Sequence, residues 1–418
     1  MCYVVFGGGW RECLLTGFES SLSGKPIHDK LCRRKLLSPL LGAMKKILFF
    51  LTEDWFFCSH FRERALGAKA AGFDVVVLAR DTGCGREIQA SGLRFVPLAI
   101  RRSGVNPLRE MGILFQIWRH YHAERPDIVH HIAMKPIIYG TAAALFTRIQ
   151  AVVNAPVGLG FVFTADTLRA RLLRMILAPA LRLLINPERS KVVFENEDDL
   201  KSFVDGGSVR AGDAVLIRGA GIDLTKFRMV PEPEQGPVVV ILTARMLWDK
   251  GIREFVEAAS LIKKQGAAVR FLLVGSPDPD NPASISQKIL ESWANEGGIE
   301  WLGHRTDIAE LLAASHIVCL PSYREGLPKS LLEALACGRP IVTTDVPGCR
   351  ETVRPGYNGR LVPARDPVSL AGALLQLIQN PAERKAFGTN GRKMAEEIFA
   401  SELIVGSTIR LYESLGIP

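Results

Sequence analysis

Ile317-Val-Cys-Leu-Pro-Ser-Tyr-Arg-Glu325-Gly-Leu-Pro-Lys-Ser-Leu-Leu-Glu333 holds the repeating unit of the fold. Four apolar residues in a row suit a strand covered on both faces. A loop with Glu325 and Gly326 follows, then Pro328 at the first position of a helix, where a missing N–H costs nothing. A buried strand feeding a helix through a short loop is the building block of a parallel α/β sheet. Glu325 then stands at the lip of the strand and Glu333 about a turn and a half into the helix. The amides at that helix start, approachable at Gly326, make an anion site. A carboxylate beside them can accept hydrogen bonds from sugar hydroxyls.

Outward from this segment the same unit recurs. Strands are expected at 238–243, 269–274, 300–302, 317–320, 341–343 and 359–362. Helices are expected at 252–265, 282–296, 331–336 and 367–379, with Gly266, Gly297 and Gly338 as stops. Before the Pro-rich connector 231–237, strands at 47–51, 74–78, 94–98, 127–131, 152–156 and 191–194 alternate with helices at 59–71, 107–123 and 198–204. The expected fold is α/β: two doubly wound, Rossmann-like parallel-sheet domains, 44–225 and 226–399, facing a cleft. A C-terminal helix at about 400–418 packs back on the first domain. Such sheets bind ligands at the carboxyl ends of their strands, so the loops on that side are where chemistry is sought.

The chain has 418 residues, and its 48% hydrophobic and 23% charged composition excludes a disordered protein. No apolar run reaches the roughly 18–20 residues of a membrane-spanning helix. Eight scattered cysteines make neither a disulfide framework nor a CxxC metal knuckle, so a reducing compartment is expected. The net charge of +9 calls for an anionic partner: nucleic acid, a membrane surface or a phosphorylated substrate. It is uneven, with +3 in 1–43, +7 in 44–220 and −1 in 221–418. Residues 1–43 lack periodicity, and their short apolar stretch precedes their basic knot, the reverse of a secretory signal. Met44-Lys45-Lys46 runs straight into the first strand, so Met44 is expected to be the natural start and 1–43 an upstream extension.

Glu325-Gly-Leu-Pro…Glu333, followed by Gly338-Arg-Pro340 and by Gly348…Glu351…Gly359, resembles the E-x7-E region of glycosyltransferase family 4. Thr243-Ala-Arg245-Met-Leu-Trp-Asp-Lys250-Gly251 is similar to the Arg-x4-Lys-Gly pair of the same family. The resemblance covers about residues 44–415. It implies a retaining enzyme of GT-B fold that uses a nucleotide sugar and no cofactor or metal. Bacterial enzymes of surface-polysaccharide and lipid-linked oligosaccharide assembly are the members it suggests. By the resemblance, Arg245 and Lys250 clamp the donor diphosphate, Glu333 binds the ribose and Glu325 holds the sugar hydroxyls. Gly326 and Leu327 offer amides, Gly275 follows a strand beside them, and the loop with His304 and Arg305 reads the base. The chemistry agrees with the clamp: Arg supplies a planar fork and Lys a point charge just after a strand. Asp278-Pro-Asp280, a possible metal pair, lies among turn-formers and is read as a turn.

The first half is less specific. His130 and His131 end a strand, and alternation lets one of them face the cleft; His131 is favoured, near the donor sugar, and His130 is read as structural. Lys135 either meets an acceptor phosphate or is solvated. Residues 52–60 depart from the family's glycine-rich loop, with Asp54 and His60 as the polar acceptor-binding candidates. The aromatics Trp55, Phe56 and Phe57 are read as core or as an apolar lip. At 100° per residue, Arg171, Arg174, Arg182 and Arg189 share one face within about 80°, and leucines cover much of the rest of 166–187. That pattern suits a basic helix on an anionic membrane surface.

The expected function is transfer of a hexose or N-acetylhexosamine from a nucleotide sugar, chiefly a UDP-sugar, to a polyprenyl-diphosphate-linked saccharide. The protein would sit peripherally on the cytoplasmic face of the membrane, with no nucleic-acid partner. A UDP-sugar 2-epimerase on the same fold is the enzymatic alternative. A basic nucleic-acid-binding protein is the other, and it would leave the Arg245–Glu333 motifs unexplained.

Overall fold

The computed structural model describes residues 44–102, 106–157 and 178–417. The expectations for 1–43 and for most of the basic helix at 166–187 lie outside the described residues. The first domain is a seven-stranded sheet in the order β3-β2-β1-β4-β5-β6-β7, parallel throughout. Its strands are β1 (Lys46–Glu53), β2 (Asp74–Arg80), β3 (Arg94–Pro97), β4 (Ile128–Ile132), β5 (Ala151–Ala155), β6 (Ser190–Phe194) and β7 (Ala214–Leu216). The second domain is a six-stranded parallel sheet in the order β10-β9-β8-β11-β12-β13. It comprises β8 (Val238–Thr243), β9 (Val269–Val274), β10 (Glu300–Trp301), β11 (Ile317–Leu320), β12 (Ile341–Thr344) and β13 (Gly359–Val362). The two doubly wound, Rossmann-ordered sheets are those expected from the alternating pattern.

Period-two side-chain alternation divides the first core between the two faces of its sheet. Ile47, Phe49 and Leu51 of β1 join Val75 and Val77 on one face, against α1 (Asp54–His60) and α2 (Arg62–Ala70). Leu48 and Phe50 join Val76 and Leu78 on the other. That face is covered by α4 (Pro107–Glu124) and α5 (Met134–Ala144); α3 (Gly85–Ala90) lies between β2 and β3. After β6 comes α6 (Glu197–Asp205). In the second domain α7 (Ile252–Lys264), α8 (Gln287–Asn295), α9 (Ile308–Ala313) and α10 (Lys329–Ala336) connect strands, and α11 (Pro367–Gln379) follows β13. Pro328 caps α10 rather than occupying its first turn.

The chain leaves the first domain after β7 and returns after α12 (Pro381–Met394) through a wide turn, Ala395–Phe399. The outgoing and returning segments lie side by side, with Ile222 N donating to Phe399 O at 2.8 Å and Ser401 N to Ile222 O at 3.0 Å. The last helix, α13 (Ser401–Ser414), then packs on α2 of the first domain, and its Tyr412 hydroxyl meets His130 Nδ1 at 2.7 Å.

Candidate active site

Strand order reverses between β8 and β11, since the chain continues from β8 to β9 on one side and from β11 to β12 on the other. The loops after these two strands therefore diverge and open a crevice at their carboxyl ends. After β8, a single tight helical turn, Trp248–Lys250, ends at Gly251 with φ +69°. A Cβ there would lie 2.0 Å from the Pro321 carbonyl oxygen, so only glycine lets the β8 loop pack against the start of the β11 loop. This approach sets Lys250 Nζ 2.5 Å from Glu325 Oε1, which also accepts from Ser322 Oγ at 2.6 Å. Both side chains are largely buried, which strengthens the pair.

The other cation of the motif is also engaged. Arg245 Nη1 lies 2.5 Å from Asp278 Oδ2, and its guanidinium faces the Trp55 ring at 5.7 Å. Asp278 takes a second arginine from the first domain, Arg102, at 2.8 Å. Burial alone would raise the Asp278 carboxyl, but the two arginines hold it below the usual carboxylate range. The turn expected at Asp278-Pro-Asp280 is thus also an ion-pair station between domains, with Asp280 3.5 Å from Arg80. The Arg245 loop is braced from behind by Met246 N to Ser276 O at 3.0 Å and Ile285 N to Met246 O at 2.8 Å. These bonds use the backbone at 283–285, so α8 starts at Gln287 rather than at 282.

A cleft of about 410 Å³ opens here, lined by Arg245, Gly275, Asp278, His304, Arg305 and, from the first domain, Trp55. Its size suits a small ligand. Gly275 has φ +140°, and Trp301 Nε1 donates to its carbonyl at 2.9 Å, tying the end of β9 to β10. His304 is exposed, and Arg305 is ion-paired with Asp307 at 2.5 Å. Glu333 stands apart from Glu325 on α10, half-buried, and burial lifts its carboxyl to about 7 against the pull of Lys329 and Lys226. Gly326 and Leu327 lie on the seam between domains. Asn196 Nδ2 donates to Gly326 O at 2.8 Å, and the buried Leu327 packs against Gly219.

Three expected residues are placed elsewhere than the cleft. His131 is fully buried in the first core, its ring nitrogens 2.8 Å from Tyr121 Oη and from Asn154 Oδ1, and burial lowers it to about 4. His130 is buried on the opposite face, so alternation sends neither histidine to the cleft. Asp54 is also fully buried. Its carboxylate accepts from the amides of Trp55 (2.8 Å), Thr82 (2.9 Å) and Cys84 (2.8 Å) and from the Thr82 hydroxyl, bonds that outweigh burial and hold it below the usual range. It clamps the 82–84 loop. Asp54→Ala should therefore cost about 2–3 kcal/mol of stability through stranded amides, measured by urea unfolding. Lys135 pairs with Glu110 at 2.8 Å and donates to Arg101 O at 2.7 Å, and so braces its own domain.

His60 does reach the cleft side. Its ring stacks on Phe56 at 4.3 Å, and burial with Lys329, Arg64 and Arg245 nearby lowers it to about 3, so it is neutral at physiological pH. Lys329, from α10, donates to Ser59 O at 2.6 Å across the cleft. Sequence reasoning missed the first-domain groups that meet the Glu325 loop and the segment after β12. Asp199 pairs with Arg324, Asp198 with Arg350 at 3.1 Å, and Arg218 with Glu351 at 3.0 Å. Beside them, at the end of β6, the buried Glu195 is lifted to about 7 by burial, with Arg64 opposing. The acidic start of α6 was legible only as a helix terminus.

The domain family described as "Glycosyl transferases group 1" matches residues 237–380, and "Glycosyl transferase 4-like" matches residues 46–194. The chain is 28% identical over 367 residues to the N,N'-diacetylbacillosaminyl-diphospho-undecaprenol alpha-1,3-N-acetylgalactosaminyltransferase of Campylobacter jejuni, covering 85% of this chain and 95% of that protein. Among solved structures it is similar to the sucrose-phosphate synthase of Thermosynechococcus elongatus, with a TM-score of 0.73 at 21% identity, covering 89% of this chain and 99% of that one. It is similar also to Anabaena HepE in complex with UDP-glucose, with a TM-score of 0.69 at 18% identity, covering 88% and 99%. The two matches fall one on each doubly wound sheet, and the chain belongs to the group 1, 4-like glycosyltransferases of GT-B fold.

Proposed function

We propose that the protein is a retaining glycosyltransferase that moves a hexose or N-acetylhexosamine from a UDP-sugar to a polyprenyl-diphosphate-linked saccharide in cell-surface polysaccharide assembly. It acts on the cytoplasmic face of the membrane as a peripheral protein. The Lys250–Glu325 pair at the strand-order reversal carries this reading, with Arg245 on the adjoining cleft. The acceptor class draws support from the name of the Campylobacter relative and the donor class from the HepE complex with UDP-glucose.

In the reaction the bond from the anomeric carbon to the diphosphate oxygen breaks and its electron pair leaves with the nucleotide. The acceptor oxygen forms the new bond, and its proton passes to the departing diphosphate. Arg245 and Lys250 place fixed positive charge where negative charge grows, which lowers the barrier without reorganisation. Each cation is held by a carboxylate, Asp278 and Glu325, so the donor diphosphate competes with those carboxylates on entry. Glu325 then accepts from the sugar hydroxyls and Glu333 from the ribose. No enzyme nucleophile is assigned. Two fixed cations serve the diphosphate in this reading, and Asp278 and Asp280 are taken by arginines, so EDTA should leave turnover unchanged.

The test is a nucleotide-sugar screen with membrane extract as acceptor, read by mass spectrometry of the lipid product. A product heavier by one sugar residue is expected. No transfer from any donor, or an epimer formed from UDP-GlcNAc without acceptor, would overturn the reading. Glu333 adds a pH signature. Its raised carboxyl must lose a proton to accept from a diol, so UDP affinity should rise with pH and level off above the folded value of about 7. At pH 6 it should be about tenfold weaker than the plateau. Glu333→Gln should flatten this dependence in calorimetric titration.

A further inference from the structure

Helix α4 is apolar on two opposite faces. Ile113, Ile117 and Tyr121 enter the first core. On the outer side Leu108, Met111 and Phe115, spaced three and four apart, are 82%, 69% and 59% exposed, where a surface helix ordinarily carries polar groups. Trp118, half-buried against the core, backs this stripe with its ring stacked on Phe115 at 5.6 Å. The charges along the helix are one-sided. Arg109 and Arg119 are exposed, whereas Glu110 is paired with Lys135, and Glu124 is buried between Arg94 and Lys46. The stripe therefore presents apolar bulk with Arg119 at its edge, while both carboxylates of the helix are paired.

Its position gives it a use. Helix α4 returns from β3 to β4 in a parallel sheet, so it runs against the strands and its start lies at their carboxyl, cleft-facing end. Arg102, just before the helix, reaches Asp278 of the second domain at 2.8 Å and marks the same rim. Leu108 and Met111 thus begin the stripe at the mouth of the cleft.

We infer that the outer face of α4 is the surface by which the protein docks on an anionic lipid bilayer, with the cleft mouth held over the membrane. Apolar side chains flanked by Arg119 suit burial at the level of the headgroups, where that cation meets lipid phosphates. This rests on the lipid-linked acceptor proposed above, which must reach the cleft from the bilayer while its polyprenyl chain stays there.

The experiment is flotation of the full chain with phosphatidylcholine vesicles, with and without phosphatidylglycerol, for wild type and for Met111→Glu/Phe115→Glu. Both positions are solvent-exposed, and thermal melting checks that the variant keeps the wild-type fold. Wild type should float with the anionic vesicles in a salt-sensitive manner, and the variant should partition at least about tenfold less. Transfer to a vesicle-embedded acceptor should fall with it, while transfer to a short-chain, water-soluble acceptor is retained. A variant that floats like wild type, a wild type that floats with neither vesicle, or a wild-type dimer that the variant converts to monomer without any vesicle binding would overturn the docking face. Failure of the wild type to glycosylate either acceptor would instead overturn the acceptor reading, so the two outcomes are separable.

Discussion

Lys250→Ala is expected to lower kcat/KM for sugar transfer by about 10²–10³-fold, the usual loss when one preorganised charge donor is removed from a developing anion. The loss has a second source. Glu325 keeps the Ser322 hydroxyl but loses its ammonium partner while remaining largely buried, and a stranded carboxylate is costly. Glu325→Gln removes that charge, so the double variant Lys250→Ala/Glu325→Gln should fall well short of the product of the single losses. Steady-state kinetics on the four proteins, with thermal melting to confirm folding, checks both points. A Lys250→Ala enzyme with wild-type turnover would refute the site.

Gly275→Ala is expected to be the most damaging small substitution for the fold. A Cβ at φ +140° would sit 1.8 Å from the Ala244 carbonyl oxygen and 2.9 Å from Met246 Cε. The carbonyl belongs to the backbone that carries Arg245, so relief would move that loop. Backbone strain of about 1–3 kcal/mol adds to this overlap, and a total above about 4 kcal/mol falls in the rare tail of single-residue effects. Gly266→Ala is the control: φ is +79° but no atom lies within 4 Å of its Cβ, so it should cost about 1–2 kcal/mol. Urea unfolding of the two variants separates strain from collision.

The strands were readable from short, mostly apolar runs set between turn-formers, as at β8 after Gly236-Pro237 and at β11 before Pro321. Less readable was the run Asp54-Trp-Phe-Phe-Cys-Ser-His60, expected as a loop and found as α1. Aromatic residues are mediocre helix formers, and the burial of Phe57 and Asp54 in tertiary contacts decides the matter. The motif cations and carboxylates were legible one at a time. What each touches was not, because the partners are remote: Lys250 lies 75 positions from Glu325, and Arg102 lies 176 from Asp278. The same remoteness misled at His131 and Asp54. Polar side chains at a strand end read as functional until Tyr121 and Asn154, or Thr82 and Cys84, are seen to consume their hydrogen-bonding capacity.

The paired crossing at Ile222 and Phe399–Ser401 has a mechanical consequence. One connecting strand would act as a swivel and allow the domains to twist freely. Two strands stitched side by side act as the pin of a door, leaving rotation about one axis far easier than any other. Any opening about that axis would keep first-domain groups such as Trp55, Arg102 and Asp199 in line with their partners on the second.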